Sequence, residues 1–164
     1  MMKTIKGDLI KLAEQGEFTM IVHGANCFHT MGGGIARQLA IKYPQVLEAD
    51  KKTTYADREK LGKCSIVSVD SGKNTFLVVN AYTQYQCSSG SDVFEYKHFE
   101  EFLERLVPTT LYGTQGTRRR GSIGFPMIGA GLAGGDWSRI SKMIKKFSEN
   151  VAPYADVTVV EYQP

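Results

Sequence analysis

Residues 21–40 read IVHGANCFHTMGGGIARQLA, and the order of residue types in this stretch decides the fold. Thr19, Met20, Ile21 and Val22 form an apolar β run that reads as a buried central strand. Gly32, Gly33 and Gly34 follow, and Ile35, Leu39 and Tyr43 then fall on one helical face until Pro44 ends it. Strand, glycines and helix in that order make an anion-binding turn. Bare backbone lets a bulky group approach, and unpaired N–H groups at the helix start point at negative charge. The helix dipole adds about 0.3–1 kcal/mol to such a contact.

The same order recurs near the other end of the chain. A strand is predicted over 122–128, residues 128–137 read IGAGLAGGDW, and Trp137, Ile140, Ile144, Phe147 and Val151 mark an amphipathic helix. Each cluster alone is read equally well as a tight turn with close packing. Together they read as two walls around one polyanion, for which a diphosphate is the natural candidate. Residues 129–134 also match GxGxxG, with Glu149 at the distance of a ribose-binding acid. A dinucleotide-binding reading fails nonetheless, because that motif opens the first strand–helix–strand unit and only one strand follows here. Glu149 also falls within the helical pattern, and no GxxxxGK[ST] occurs.

The remaining chain alternates strand and helix signals. Strands are expected at 3–6, 63–69, 75–80 and 156–162, with a turn at 70–74. Helical segments are expected at 9–14, 44–52 and 94–106, and loops at 87–92 and 108–121. The pattern predicts an α/β fold with a mixed, mainly parallel sheet of about six strands between helical layers, and one domain over 1–164. The 164 residues are 42% hydrophobic and 23% charged, which is globular composition. A net charge of +3 suits an anionic ligand without calling for nucleic acid. The basic run Arg118, Arg119 and Arg120 reads as a solvated loop or as an RNA contact. Three cysteines without a CxxC pair argue against a disulfide or zinc framework and for a reducing compartment. The start, MMKTIKGDLIKL, has no apolar export segment, and no stretch is long enough to span a bilayer. A cytoplasmic location with no membrane partner is expected.

Residues 7–9 (Gly-Asp-Leu), 22–36 and 125–137 together resemble the macro domain family, and the resemblance runs from the first strand to Tyr162. Within that family, residues 21–44 and the Gly-Lys-Cys at 62–64 are similar to the yeast-type ADP-ribose 1″-phosphate phosphatase subgroup, which has histidine at the position of His23 and asparagine at that of Asn26. The resemblance implies a three-layer α/β/α fold and a site for ADP-ribose or ADP-ribose 1″-phosphate, with no metal and no cofactor. It implies that Asp8 and the Leu9 backbone meet adenine; helix capping is the other use of Asp8. It implies that Asn26 holds the distal ribose. Gly32, Gly33, Gly34 and Ile35 would cradle the diphosphate from one side, and Gly129, Ala130, Gly131 and Leu132 from the other. Tyr162 either stacks on adenine or is a sheet-edge aromatic. His23 is the sharpest catalytic candidate, orienting or deprotonating a water, with Asn26 and His29 beside it. Asp136 is a helix cap or a ligand-side acid, and Cys27 lacks a base for nucleophilic work.

Two departures narrow the chemistry. Related ADP-ribosyl-glutamate hydrolases use an aspartate where this chain has Ala133, and a lysine after the fourth strand where it reads Asn80-Ala81-Tyr82-Thr83-Gln84. A phosphatase acting on ADP-ribose 1″-phosphate is therefore the leading expectation. A non-catalytic ADP-ribose reader and a hydrolase of ADP-ribosylated macromolecules are its rivals.

Overall fold

Side-chain alternation along the strands sorts the interior into two cores. The computed structural model describes residues 2–86, 93–114 and 120–164. Its six strands are β1 (Met2–Gly7), β2 (Met20–Ala25), β3 (Cys64–Asp70), β4 (Thr75–Tyr82), β5 (Gly121–Pro126) and β6 (Ala155–Tyr162). They form one sheet in the order β1-β6-β5-β2-β4-β3. Every neighbouring pair is parallel except β3 with β4, which the 71–74 turn joins as a hairpin. Among the described residues five α-helices cover the sheet: α1 (Leu9–Glu14), α2 (Gly34–Lys42), α3 (Pro44–Lys51), α4 (Tyr96–Thr114) and α5 (Trp137–Val151).

On β2, Met20 and Val22 join one core, with Phe99 and Phe102 of α4 and Ile140, Ile144 and Phe147 of α5. Ile21 points the other way, into a second core with Leu9 and Ala13 of α1, Leu39 of α2 and Val46 of α3. This is the expected three-layer α/β/α arrangement, with a mixed and mainly parallel six-stranded sheet. Asp8 caps α1 by accepting from the Lys11 amide at 3.1 Å, and Asp136 caps α5 by accepting from the Ser138 amide at 3.0 Å.

Several boundaries differ from the pattern-based expectation, and three of the differences have a clear local cause. β2 continues three residues past Val22, because Gly24 and Ala25 keep pairing with Ala81 and Tyr82 of β4. β5 stops at Pro126, and the Ile128 amide turns back onto the Pro126 carbonyl at 2.7 Å. α4 does not end before Pro108 but runs through it to Thr114. The missing proline N–H costs one helical bond, while Thr109 and Thr110 hydroxyls bond the Arg105 and Leu106 carbonyls at 3.5 and 2.9 Å. The Ser/Gly-rich stretch 87–92, with Arg118 and Arg119 of the basic run, lies outside the described residues. Arg120 is described, and it pairs with Asp156 at 3.1 Å.

Candidate functional site

Strands β2 and β5 are parallel neighbours, yet the helices that follow them pack on opposite faces of the sheet: α2 on one, α5 on the other. A crevice must open beyond the carboxyl ends of two such strands. The structure has a cleft of about 500 Å³ there, within the usual range for a small-molecule site. Both glycine loops line it.

Gly32, Gly33, Gly34 and Ile35 form one wall. Gly33 caps α2 without a side-chain bond, and the first helical acceptor it offers is taken by the Arg37 amide at 3.2 Å. The amides of Gly34, Ile35 and Ala36 therefore have no helical partner and face the dipole's positive end. Gly129, Gly131 and Leu132 line the opposite wall. That loop closes on itself, Gly134 N–H to the Gly131 carbonyl at 3.1 Å and Gly135 N–H to the Gly129 carbonyl at 2.7 Å. This leaves the Gly131 and Leu132 amides without a backbone partner among the described residues. A Cβ built on Gly33 would sit 3.5 Å from Leu132 Cδ1, so the two walls nearly touch. Leu132 itself is 72% exposed at the mouth. Ala130, expected in the cradle, is turned away: it is not among the cleft-lining residues, and its amide bonds the Met127 carbonyl at 3.2 Å.

The other expected residues divide. Asn26 lines the cleft, but its side chain braces the loop: Nδ2 donates to the Thr30 carbonyl at 3.0 Å and to Thr30 Oγ1 at 2.8 Å, and Oδ1 accepts from the Phe28 amide at 2.8 Å. Asp8 caps α1, and Leu9 is buried in the core beneath it. Gly7 and Tyr162 are register partners, which brings Asp8 and the exposed Tyr162 to one end of the β1–β6 pair, outside the lining of this cleft.

His23, expected as a catalytic residue, lies apart from the cleft lining. It sits within β2 on the same side as Ile21 and is 1% exposed, and it does not line the cleft. Its Nε2 lies 2.5 Å from Asn80 Oδ1. Asn80 Nδ2 must donate, because it faces the Val46 carbonyl at 3.2 Å as well as Ser65 Oγ at 3.0 Å. Asn80 Oδ1 is therefore an acceptor, the His23 proton resides on Nε2, and Nδ1 carries a lone pair with no well-aligned hydrogen-bond partner among the described residues, the Gly24 backbone being the main-chain group that acts on the ring. The chain of bonds continues from Ser65 Oγ to Tyr82 OH at 2.9 Å, and Tyr82 OH donates to the buried Asp50 carboxylate at 2.7 Å. Burial raises the Tyr82 phenol well above its ordinary range, so it stays a donor. The Lys60 ammonium stands over the Tyr82 ring at 4.7 Å and donates to the Cys27 carbonyl at 3.3 Å.

His29 also faces away from the cleft lining. Its backbone takes φ +57°, and its Nε2 is 3.3 Å from Thr53 Oγ1, with the ring edge-on to Tyr55. Burial pushes the Cys27 thiol up, which suits packing rather than a nucleophile.

Burial lowers the His23 pKa from 6.5, against the opposing pulls of Asn80 and Asp50. The unfolded chain thus takes up a proton below about pH 6.5 that the folded protein resists, so stability is complete above that pH and falls as pH drops through it. NMR of the imidazoles at pH 6 is expected to show one histidine as the neutral Nε2–H tautomer. A His23 ring charged at that pH would contradict the burial argument.

Sequence gave little warning of the buried network, because Asp50, Ser65, Asn80 and Tyr82 come from three different elements. The usable signal was parity: His23 shares the face of Ile21, two residues before it.

Comparison with known proteins places this architecture. The macro domain model matches residues 22–144. An uncharacterised 17.5 kDa protein from the tk-vs intergenic region of Enterobacteria phage T4 is 34% identical over 171 residues, covering 99% of this chain and 97% of that one. A Candida glabrata ADP-ribose 1″-phosphate phosphatase is 24% identical over 173 residues, covering 90% of this chain and 93% of its own. The solved structure of Thermosipho africanus DarTG in complex with ADP-ribose superimposes with a TM-score of 0.72 at 17% identity, over 96% of this chain and 41% of that one. The chain belongs to the macro domain family.

Proposed function

We propose that this protein binds ADP-ribose in the cleft between β2 and β5 and hydrolyses ADP-ribose 1″-phosphate to ADP-ribose and phosphate. One observation carries the binding reading: two glycine loops, each presenting unpartnered amides, face one another across a gap that a single Leu132 methyl spans. Amides that converge from both sides complement a diphosphate, whose negative charge is shared along its length. The Candida relative's activity and the ADP-ribose in the Thermosipho structure support the same ligand class.

In the hydrolysis, water adds to phosphorus, the bond from phosphorus to the 1″ oxygen breaks, and a proton passes to that oxygen. Loop amides that hold phosphoryl oxygens stabilise the charge that develops. His23 and His29 are directed elsewhere, so neither imidazole supplies the base from where it stands. That geometry favours a second reading, a reader that binds ADP-ribose without turnover. Two measurements separate them. Calorimetry is expected to show ADP-ribose binding, and incubation with ADP-ribose 1″-phosphate is expected to release inorganic phosphate above a protein-free blank. Binding without release establishes the reader, and absence of both overturns the proposal.

A further inference from the structure

A groove of about 450 Å³ runs between α4 and α5, over the larger core, and shares no lining residue with the β2–β5 cleft. Its floor is apolar: Leu103 and Phe147 are buried there and Met143 is half-buried. Its rims carry opposite charge. Glu100 and Glu104 stand on α4, and Arg139 and Lys146 on α5. All four are exposed, and none forms an ion pair with another described residue. Lys97 is the one cation on the α4 rim.

The topology sets the direction of the two helices. β4, β5 and β6 run parallel, α4 returns the chain from β4 to β5, and α5 returns it from β5 to β6. Both helices cover the same face, so they run side by side in the same direction. The Arg139 guanidinium lies 3.9 Å over the Tyr96 ring, which sets position 96 of α4 level with position 139 of α5. At an equal rise per residue, Glu104 stands within one residue of the level of Lys146, and Glu100 lies between the levels of Arg139 and Lys146.

We infer that this groove is the contact face for a second copy of the chain, the two copies related by a two-fold axis that runs along the groove. A two-fold axis in the plane of contact lies either along the helices or across them. An axis along the groove lays α4 of each copy over α5 of the other at the same level, so the glutamates meet Arg139 and Lys146 twice over. An axis across it lays α4 on α4 and α5 on α5, which sets like charges together. Charge complementarity selects the first. Tyr96, Arg139 and Met143 are residue types that anchor such contacts. The stack on Tyr96 already holds Arg139 in place, which lowers the cost of ordering it.

Two charge-reversed variants test the inference: Glu100→Lys with Glu104→Lys, and Arg139→Glu with Lys146→Glu. Sedimentation velocity on the full chain, from about 1 μM to about 500 μM, is expected to show a wild-type dimer that weakens as salt rises from about 0.05 M to about 0.5 M. Each variant alone sets like charges against like, and its dimer is expected to weaken at least about a hundredfold. Mixed in equal amounts, the two variants are expected to form a heterodimer, because each presents only opposite charge to the other. Circular dichroism checks that each is folded. Should a double variant unfold, the single reversals Glu104→Lys and Lys146→Glu replace the pair in the same mixing experiment. A wild type that stays monomeric throughout, a dimer that neither reversal weakens, or folded variants that stay apart when mixed overturns the inference.

Discussion

Gly129→Ala is expected to lower the unfolding free energy by about 3 kcal/mol, from a left-handed backbone that disfavours a side chain plus an overpacked contact. Gly129 has φ +77°, and a Cβ there would lie 2.5 Å from Phe94 Cδ2 and 2.9 Å from its Cγ. Phe94 cannot swing aside, because it is buried in the larger core and packs its ring against Tyr96 and Phe99. The loop must move instead. Its movement breaks the Gly135 N–H bond to the Gly129 carbonyl and shifts the Gly131 and Leu132 amides out of line with α2. ADP-ribose affinity is therefore expected to fall more than about tenfold even at temperatures where the variant stays folded. Urea denaturation and calorimetry measure the two effects separately. Unchanged affinity in a folded Gly129→Ala protein would show that this wall does not hold the ligand.

Asn80→Ala is expected to cost about 3 kcal/mol or more, because buried polar groups lose their partners together. The His23 Nε2–H, the Val46 carbonyl and Ser65 Oγ all bond the Asn80 amide. Val46 belongs to α3 and Ser65 to β3, so this one side chain ties a helix and an edge strand to β2. Denaturant unfolding compared with an exposed β3 control such as Ser68→Ala checks the magnitude. A loss under about 1 kcal/mol would mean that water replaces the amide, as it does at wet sites.

The glycine clusters were legible because their meaning is local. A run of residues without side chains between a strand and a helix constrains the backbone wherever it occurs, and both runs line the cleft. The alternation of Met20, Ile21 and Val22 likewise announced a strand buried on both faces. The role of His23 was not legible in the same way. Its partner lies 57 positions away, and the neighbours that commit Asn80 come from α3 and β3. Asn26 lines the cleft as expected of a ligand contact, but its bonds to Thr30 and Phe28, which brace the loop, were not legible in the sequence. Pro108 misled through its usual helix-breaking rule, which gives way where a buried face, Leu103 and Leu106 before it and Thr110 after it, holds the helix against the core.

The pairing of β1 with β6 has a consequence for how the protein is made. Residues 2–7 pair with residues 157–162, near opposite ends of the described residues, and β6 alone stands between β1 and the rest of the sheet. During synthesis β1 therefore waits, without a ladder partner, until β6 has left the ribosome. Ring closure over that distance makes the last strand the keystone of assembly and a late, entropy-limited event in refolding.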